Sequence, residues 1–284
     1  MNFLKNTMLL SPQKDFIIPE NCVPVSIDGY LNTFCGYYDV SPFSPTDNSL
    51  ILVHANNAKP NTNPSSKYKT TVGIWNDTIK RFEKIDTTQS WNWQQGARLQ
   101  WINNDTIAYN VYDFKLKSLH AKLVNINSLK QEILPISIHS SFGGRFILSI
   151  NFQDLTNYTE YGYPGTVIRN NSKGIDIFDL SNYSRQEVLN IKELFAFFPN
   201  QKQHWNKVHI NHPQFSPDGS LLIFTFRFLI KNDRFDNLFC IELNTKKISH
   251  VIENQIVSHY SWVDDSCIIF WGIIDGKKGY YKFY

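Results

Sequence analysis

The chain has 284 residues, with 28 Lys and Arg against 25 Asp and Glu, so its formal net charge is +3. This small, dispersed excess excludes the strongly basic surface typical of nucleic-acid-binding proteins, and a hydrophobic content of 42% excludes a disordered chain. Aromatic residues make up 15% of the chain and favour β-strands. No apolar stretch approaches the length of a membrane span and residues 1–10 lack a secretion signal, so we expect a cytoplasmic protein.

Strands separated by polar turns account for residues 1–135. An N-terminal segment (1–34) holds two short predicted strands, Asp15–Ile18 and Val23–Ile27. A first unit near 35–89 turns at 46–48 and is predicted to form strands over 50–53, 71–75 and 82–85. A second unit near 90–135 turns at 103–105, with predicted strands over 106–112, 121–125 and 131–134. Both units therefore consist of a strand, a tight turn and further strands.

The same pattern continues to the end of the sequence. A third unit near 136–207 turns at 142–144, with strands over 146–152 and 174–180 and a helix over 188–198, where apolar residues recur at helical spacing. A fourth unit near 208–256 turns at Ser216-Pro217-Asp218-Gly219, where Pro favours a φ near −65° and Gly a positive φ. A fifth unit near 257–284 turns at Asp264-Asp265.

Repeats of this kind predict an all-β protein, a β-propeller made of four-stranded antiparallel blades, with residues 1–284 as one domain. Each unit is too small to bury both faces of its own sheet and must stack on its neighbours. Four cysteines lack metal-type spacing, and Cys240 and Cys267 lie in apolar runs that favour reduced core thiols.

Alignment of the units on their turns predicts a functional site. An aromatic residue recurs three positions before the turn, and it is interpreted as packing between blades. These residues are Phe43, Trp101, Phe215 and Trp262. Six positions before the turn stand Val40, Arg98, Ser137, His212 and His259. The first strand of each blade lines the propeller axis, so we expect Arg98, His212 and His259 to converge at one mouth of the channel.

Strand periodicity separates the two histidines of the fourth unit. Residues two apart in a strand share a face and residues three apart do not, so His212 and Gln214 are expected to point together while His209 faces elsewhere, unless Pro213 or a bulge changes its direction. His212 and His259, joined by Gln95 or Gln214, are the predicted cluster. Each histidine taken singly is also compatible with a hydrogen-bonded structural role.

Short motifs resemble known propeller families. The turn at 216–219 resembles the repeat of TolB-like and WD-type propellers. The stretches 211–219 and 258–262 together resemble oligogalacturonate lyase and its relatives, some of which are similar to proteins encoded beside polysaccharide-biosynthesis genes. Further motifs of those relatives are Tyr37-Tyr38-Asp39, the stretch 91–98 and Tyr161-Gly162-Tyr163. The resemblance covers residues 35–284.

The resemblance implies a seven-bladed propeller that carries out β-elimination on acidic oligosaccharides with a divalent metal, typically manganese. Carried over, His259 and Gln214 are metal ligands, and His212 and Arg98 are catalytic residues. Arg98 would hold a carboxylate or help to take a proton. Substrate contacts are expected from Gln95, Tyr38, Arg227 and Tyr260. The expected partner is an acidic oligosaccharide or a surface-polysaccharide intermediate.

Two departures from the family keep other interpretations open. Relatives tend to have a histidine where Phe226 stands, and only five units are recognisable. The sequence is therefore part of a longer ring or forms a shorter one, in which Phe16–Ile18 would complete the last blade. The alternative function is a non-catalytic propeller that binds saccharide or protein.

Overall fold

The computed structural model of the protein describes residues 25–59, 68–156, 163, 167–169, 172–199, 205–231 and 233–284. Its strands form three four-stranded antiparallel sheets and one six-stranded sheet, and in every sheet consecutive strands are hydrogen-bonded neighbours. Within these residues no helix has the length and apolarity needed to cross a membrane. Cys35, Cys240 and Cys267 are free thiols.

The first three sheets correspond to successive stretches of the chain. The first sheet contains β1 (Asn32–Phe34), β2 (Leu50–Asn56), β3 (Thr70–Asn76) and β4 (Arg81–Thr88). The second contains β5 (Gln100–Trp101), β6 (Thr106–Asp113), β7 (Ser118–Asn125) and β8 (Gln131–Ile133). The third contains β9 (Ser140–Phe142), β10 (Phe146–Ile150), β11 (Gly174–Asp179) and β12 (Ser184–Asn190). A one-turn helix, α1 (Phe152–Leu155), follows β10.

The six-stranded sheet joins two units through one long strand. Its members are β13 (Trp205–Phe215), β14 (Leu221–Ile230), β15 (Asp233–Glu242), β16 (Lys247–Trp262), β17 (Ile268–Ile274) and β18 (Lys277–Phe283). The first part of β16 pairs with β15 as far as Gln255, and the part from Ile256 onward pairs with β17. β16 is thus the outer strand of one four-stranded unit and the first strand of the next.

Alternation along the strands explains how the sheets stack. In β2, Leu52 faces a core shared with the second sheet, while Val53 faces the other way, against Ile27. In β14, Phe224 packs toward the third sheet and Ile223 toward β17. Successive side chains point to opposite faces of a strand, so each sheet contributes to two cores and is buried between its neighbours. Face-to-face stacking of consecutive up-and-down sheets is the blade arrangement of a β-propeller, and the predicted fold class is confirmed.

One local prediction needs correction, and another concerns residues outside those that the structure describes. The helix predicted over 188–198 is wrong in its first part, because Val188 and Leu189 belong to β12 and only Ile191–Phe197 form a 3₁₀ helix. Asn190 caps that helix with its side chain, which ends the strand. Phe16–Ile18 lie outside the described residues.

Candidate functional site

A turn before the first sheet brings three polar side chains to the centre of the protein. Gly36 has φ +126°, and a Cβ there would lie 3.4 Å from the main-chain oxygen of Gln95, so the close approach of the two segments requires glycine. Tyr37, Tyr38 and Asp39 follow. Their partners lie in the second sheet and in the strands β13 and β16, which shows that the first strands of the sheets meet around a common centre.

Arg98 is buried and paired in this centre. Its Nη1 and Nη2 each donate to an Asp39 oxygen at 3.0 Å, and its Nε donates to the main-chain oxygen of His139 at 2.7 Å. Both side chains of the pair are 1% exposed. Arg98 was expected to hold a substrate carboxylate, but the structure gives it the carboxylate of Asp39, so a ligand would have to displace that partner.

Two tyrosines and two histidines form an aromatic cluster, which we call the mouth cluster: Tyr37, Tyr38, His212 and His259. The ring of Tyr37 stacks on His212, with 5.2 Å between centroids and 16° between planes. The Tyr37 hydroxyl lies 3.3 Å from Nε2 of His259, and the Tyr38 ring lies 5.1 Å from the His259 ring. Tyr38 and His259 are exposed, whereas His212 is buried. The structure therefore brings His212 and His259 together, with Tyr37 between them.

Hydrogen bonds fix the exposed histidine of the mouth cluster. The Ser258 hydroxyl lies 2.7 Å from Nδ1 of His259, on the side opposite the Tyr37 hydroxyl. Partial burial, and then the positive charge of Arg227, lower the pKa of His259. The ring is accordingly neutral near pH 7.

Arg227 is a buried neighbour of the mouth cluster. Its Nε donates to Oδ1 of the fully buried Asp236 at 3.0 Å, and its Nη2 lies 3.5 Å from the main-chain oxygen of Val257. Burial holds the pKa of His212 well below its usual range, and the charges of Arg227 and then Arg98 lower it further. The site thus combines neutral histidines with guanidinium groups.

An unusual backbone conformation marks the register position. The backbone φ angles of Arg98, His212 and His259 are 56°, 54° and 51°. These values lie in the left-handed region, which residues other than Gly and Asn rarely adopt. At His212 and His259 the strand register shifts, between Asn211 and Gln214 and between Ser258 and Tyr260. Backbone strain at matching positions of several sheets is typical of functional sites.

The other predicted site residues have mainly internal contacts. The Gln214 amide donates to the main-chain oxygen of Tyr260 at 3.2 Å, and the Tyr260 hydroxyl donates to the main-chain oxygen of His212. Gln95 is buried, and its main-chain oxygen accepts a hydrogen bond from the Arg98 N–H at 3.2 Å. These contacts hold the mouth cluster in place.

Sequence reasoning missed His139, and a better alignment would have found it. In the third unit the turn lies between the paired residues Phe142 and Phe146, and it is shorter than the turn between Phe215 and Leu222 in the fourth unit. Counting back six positions from the turn therefore selected Ser137 in the third unit. Alignment on the aromatic residue selects His139, three positions before Phe142. Its Nδ1 lies 3.5 Å from Nη2 of Arg98, and burial, Arg98 and then His212 lower its pKa. The Ser137 hydroxyl instead lies 2.6 Å from that of Ser149.

A bulge separates His209 from His212. His209 is buried and lies opposite Arg227 across β13 and β14. The register shift between Asn211 and Gln214 is the bulge for which the alternation argument allowed, so the direction predicted for His209 stays a prediction. Asp39 and Tyr37 were noted only within a motif, because nothing local shows that their partners lie 59 and 222 residues away.

The residues present do not fit a divalent cation. The described residues contain no group of three or more His, Cys, Asp or Glu side chains placed to hold a metal ion. The amide nitrogen of Gln214 donates to the main-chain oxygen of Tyr260. The positive charge of Arg227 lowers the pKa of both His212 and His259. Manganese prefers carboxylate, carbonyl and water oxygens, and both carboxylate oxygens of Asp39 accept from Arg98. The manganese expected from the resemblance thus has no matching donor set.

Comparisons with known proteins find similarity in structure alone. No protein-family model and no curated protein matches the chain. The structure is similar to tricorn protease, with a TM-score of 0.46 and 11% identity over 87% of this chain and 20% of that one. It is similar to an oligogalacturonate lyase in complex with manganese, with a TM-score of 0.46 and 10% identity over 88% of this chain and 75% of that one. It is also similar to the β-propeller domain of the Trilobed protease from Pyrococcus furiosus, with a TM-score of 0.45 and 13% identity over 82% of this chain and 64% of that one.

The chain thus spans a fifth of the tricorn protease chain and less than two thirds of the Trilobed protease domain. Oligogalacturonate lyase and a TolB from Acinetobacter baumannii are both among the similar structures, so the expected likeness to these propellers is confirmed for the fold. No residue's role follows from these likenesses.

Proposed function

We propose that the protein is a β-propeller that binds an acidic oligosaccharide at the mouth cluster. The observation that carries the proposal is the exposed pair Tyr38 and His259, with Arg227 close behind it. Flat aromatic faces with polar tips suit the apolar faces and hydroxyl groups of a sugar ring. A guanidinium beneath them attracts the carboxylate of a uronic acid.

Replacement of Tyr38 tests this proposal. Tyr38→Ala removes an exposed ring, so we expect a folded protein whose affinity for trigalacturonate, measured by titration calorimetry, falls about tenfold or more. Tyr280→Ala is the matched control, because Tyr280 is a 77% exposed tyrosine on the outer strand β18. Equal affinities of the two variants would contradict a role for the mouth cluster.

A second candidate function is β-elimination with His259 as the base. A neutral imidazole held by Ser258 and Tyr37 is suited to accept a proton. The base would take the C5 proton of a uronate, and the C4–O bond would break as the C4–C5 double bond forms. The oxygen of the leaving sugar would take a proton from water, and the imidazolium would return its proton to the solvent.

Ultraviolet absorbance of an unsaturated product would support this second function. It must disappear in His259→Gln, which keeps a planar polar side chain at this position but cannot act as the base, while trigalacturonate still binds. Binding without any product identifies a non-catalytic saccharide receptor. If no saccharide binds, the remaining hypothesis is a non-catalytic propeller that binds a protein.

A further inference from the structure

The hairpin of β6 and β7 ends in an exposed tip where apolar and basic residues alternate. Phe114 and Leu116 are 51% and 59% exposed, and Lys115 and Lys117 are exposed beside them. Asp113 fixes the shape of the tip, because its Oδ1 accepts the main-chain N–H groups of Lys115 and Leu116, both at 2.8 Å. The hairpin thus holds two large apolar side chains away from the cores of the sheets.

The connection between β10 and β11 lies against this tip. The Arg169 N–H donates to the main-chain oxygen of Lys117 at 2.8 Å, and the Tyr112 hydroxyl donates to that of Val167 at 2.6 Å. The Tyr112 ring also contacts the Phe114 ring, with 4.9 Å between centroids. Val167 is 55% exposed, and Arg169 is exposed as well. Together these residues form a surface that we call the tip patch: Phe114, Leu116 and Val167, with Lys115, Lys117 and Arg169.

The tip patch lies at the mouth end of the propeller. The Asn110 N–H donates to the main-chain oxygen of Ala97 at 2.8 Å, so Asn110 in β6 lies beside the residue that precedes Arg98. β6 continues to Asp113, and at 3.3 Å per residue the tip protrudes roughly 10 Å beyond the level of Arg98. The tip patch and the mouth cluster therefore face the same side of the molecule.

Charge differs between the two ends of the propeller. At the mouth end, exposed basic residues lie in or beside the connections between second and third strands: Lys69, Lys115, Lys117, Arg169, Lys277 and Lys278. Among the described residues, acidic side chains such as Asp233 and Asp275 are fewer there. At the opposite end, the turns between first and second strands carry exposed acidic residues in four of the units: Asp47, Asp105, Asp218, Asp264 and Asp265.

The turns between third and fourth strands, also at the opposite end, carry charges of both signs, as in the ion pair of Lys80 with Asp77. The net charge of +3 is therefore spread unevenly, with its basic part toward the mouth. An anionic surface attracts the mouth end and repels the acidic turns, which orients the protein.

We propose that the tip patch docks the protein on an anionic lipid surface, with the mouth cluster turned toward the membrane. Phe114 and Leu116 enter the interfacial layer, and Lys115 and Lys117 reach the phosphate groups at its surface. The apolar residues favour lipid over a soluble acidic polymer, which offers no apolar layer to a protruding leucine. This inference goes beyond the proposed saccharide binding and does not depend on it.

Flotation with lipid vesicles tests the docking directly. The whole protein is mixed with vesicles of phosphatidylcholine alone or of phosphatidylcholine and phosphatidylglycerol in equal parts. We expect it to float with the mixed vesicles far more than with phosphatidylcholine, and to be released as the salt concentration rises. Failure to bind the mixed vesicles would overturn the inference and leave the saccharide proposal standing, because titration with trigalacturonate needs no membrane.

A pair of lysine substitutions tests the basic part of the tip patch. Lys115→Gln with Lys117→Gln removes two charges and keeps long side chains, so the affinity for mixed vesicles should fall about tenfold or more. Lys84→Gln with Lys130→Gln is the matched control, because it removes two exposed lysines from β4 and from the turn before β8. An equal loss in both double variants would show attraction by net charge alone and would contradict docking through the tip.

A pair of apolar substitutions tests the lipid as the partner. Phe114→Ser with Leu116→Ser should lower the affinity for mixed vesicles about tenfold or more, since the tip then has little apolar surface to insert. Ile79→Ser is the control, because Ile79 is 61% exposed in the turn between β3 and β4 at the opposite end. Vesicle binding that is unchanged in the Phe114 and Leu116 double variant would overturn insertion. Binding of polygalacturonate but not of vesicles, lost on replacement of Lys115 and Lys117, would assign the basic residues to a soluble acidic polymer.

Discussion

Among the described residues, four buried histidines are held neutral by their burial: His54, His139, His209 and His212. His54 shows the cause most plainly. Its Nε2 accepts the Ala97 N–H at 2.9 Å, and its ring fills the space beside Gly96 that a Cβ would occupy. Burial lowers the pKa of His54 to about 4.

We therefore expect the protein to lose stability in acid. Above pH 6.5 these groups are neutral in both states, so their contribution is fully present. As the pH falls from 6.5 toward 4, the unfolded chain takes up protons that the folded chain cannot, and stability is lost. His54 alone contributes about 3 kcal/mol to this loss.

Urea denaturation at pH 7.5 and pH 5 measures the effect. The free energy of unfolding should be several kcal/mol lower at pH 5. An unchanged value would show that the imidazoles accept protons in the folded state.

At this scale the sequence supported the pairing of His212 with His259, because both precede their turns by the same distance. The sequence did not indicate that Arg98 forms an ion pair with Asp39. Asp39 is 59 residues away and lies in a turn before the first sheet, and such a contact exists only once the sheets are assembled.

At the scale of elements, the first strand of each unit is shaped by its left-handed residue. Most other non-glycine residues with positive φ lie in hairpin turns, as Lys246 does, whereas His259 lies within β16 at a register shift. We expect His259→Gly to be about 1 kcal/mol more stable than His259→Ala, because glycine adopts this conformation without a Cβ clash.

Chemical denaturation of both variants checks this, with Lys246→Gly and Lys246→Ala as the control pair. Both positions should favour glycine. A gain at 246 without a gain at 259 would show that the strand is not strained at the histidine.

Element prediction from the sequence was accurate where structure is local. The turns of the first, second, fourth and fifth units carry Asp, Asn, Pro or Gly, and the flanking apolar runs became the expected strands. The helix over 188–198 was wrong because a short run of apolar residues fits both a buried strand and a helix, and contacts with the third and fourth sheets decided between them.

At the scale of the whole molecule, one ion pair joins the segment before the first sheet to the second sheet. Asp39→Ala should destabilise the protein by about 3–5 kcal/mol, because it leaves Arg98 charged and buried. The double variant with Arg98→Met should lose less than the sum of the two single losses. Urea denaturation of the cycle measures this coupling, and strict additivity would contradict the pair as a tie between sheets.

The stacking of the sheets was predictable because alternating apolar residues must be buried on both faces. The contact of Arg227 with Asp236 was not, since it depends on which side chains meet across β14 and β15.

Calorimetric titration of the wild-type protein with trigalacturonate and with neutral galactotriose, both in EDTA, tests the central claim most directly. Recognition of a carboxylate by the Arg227 guanidinium at the mouth cluster predicts that the acidic saccharide binds without metal, and at least about tenfold more tightly than the neutral one. Equal binding of the two saccharides, or binding of trigalacturonate only after manganese is added, would contradict it.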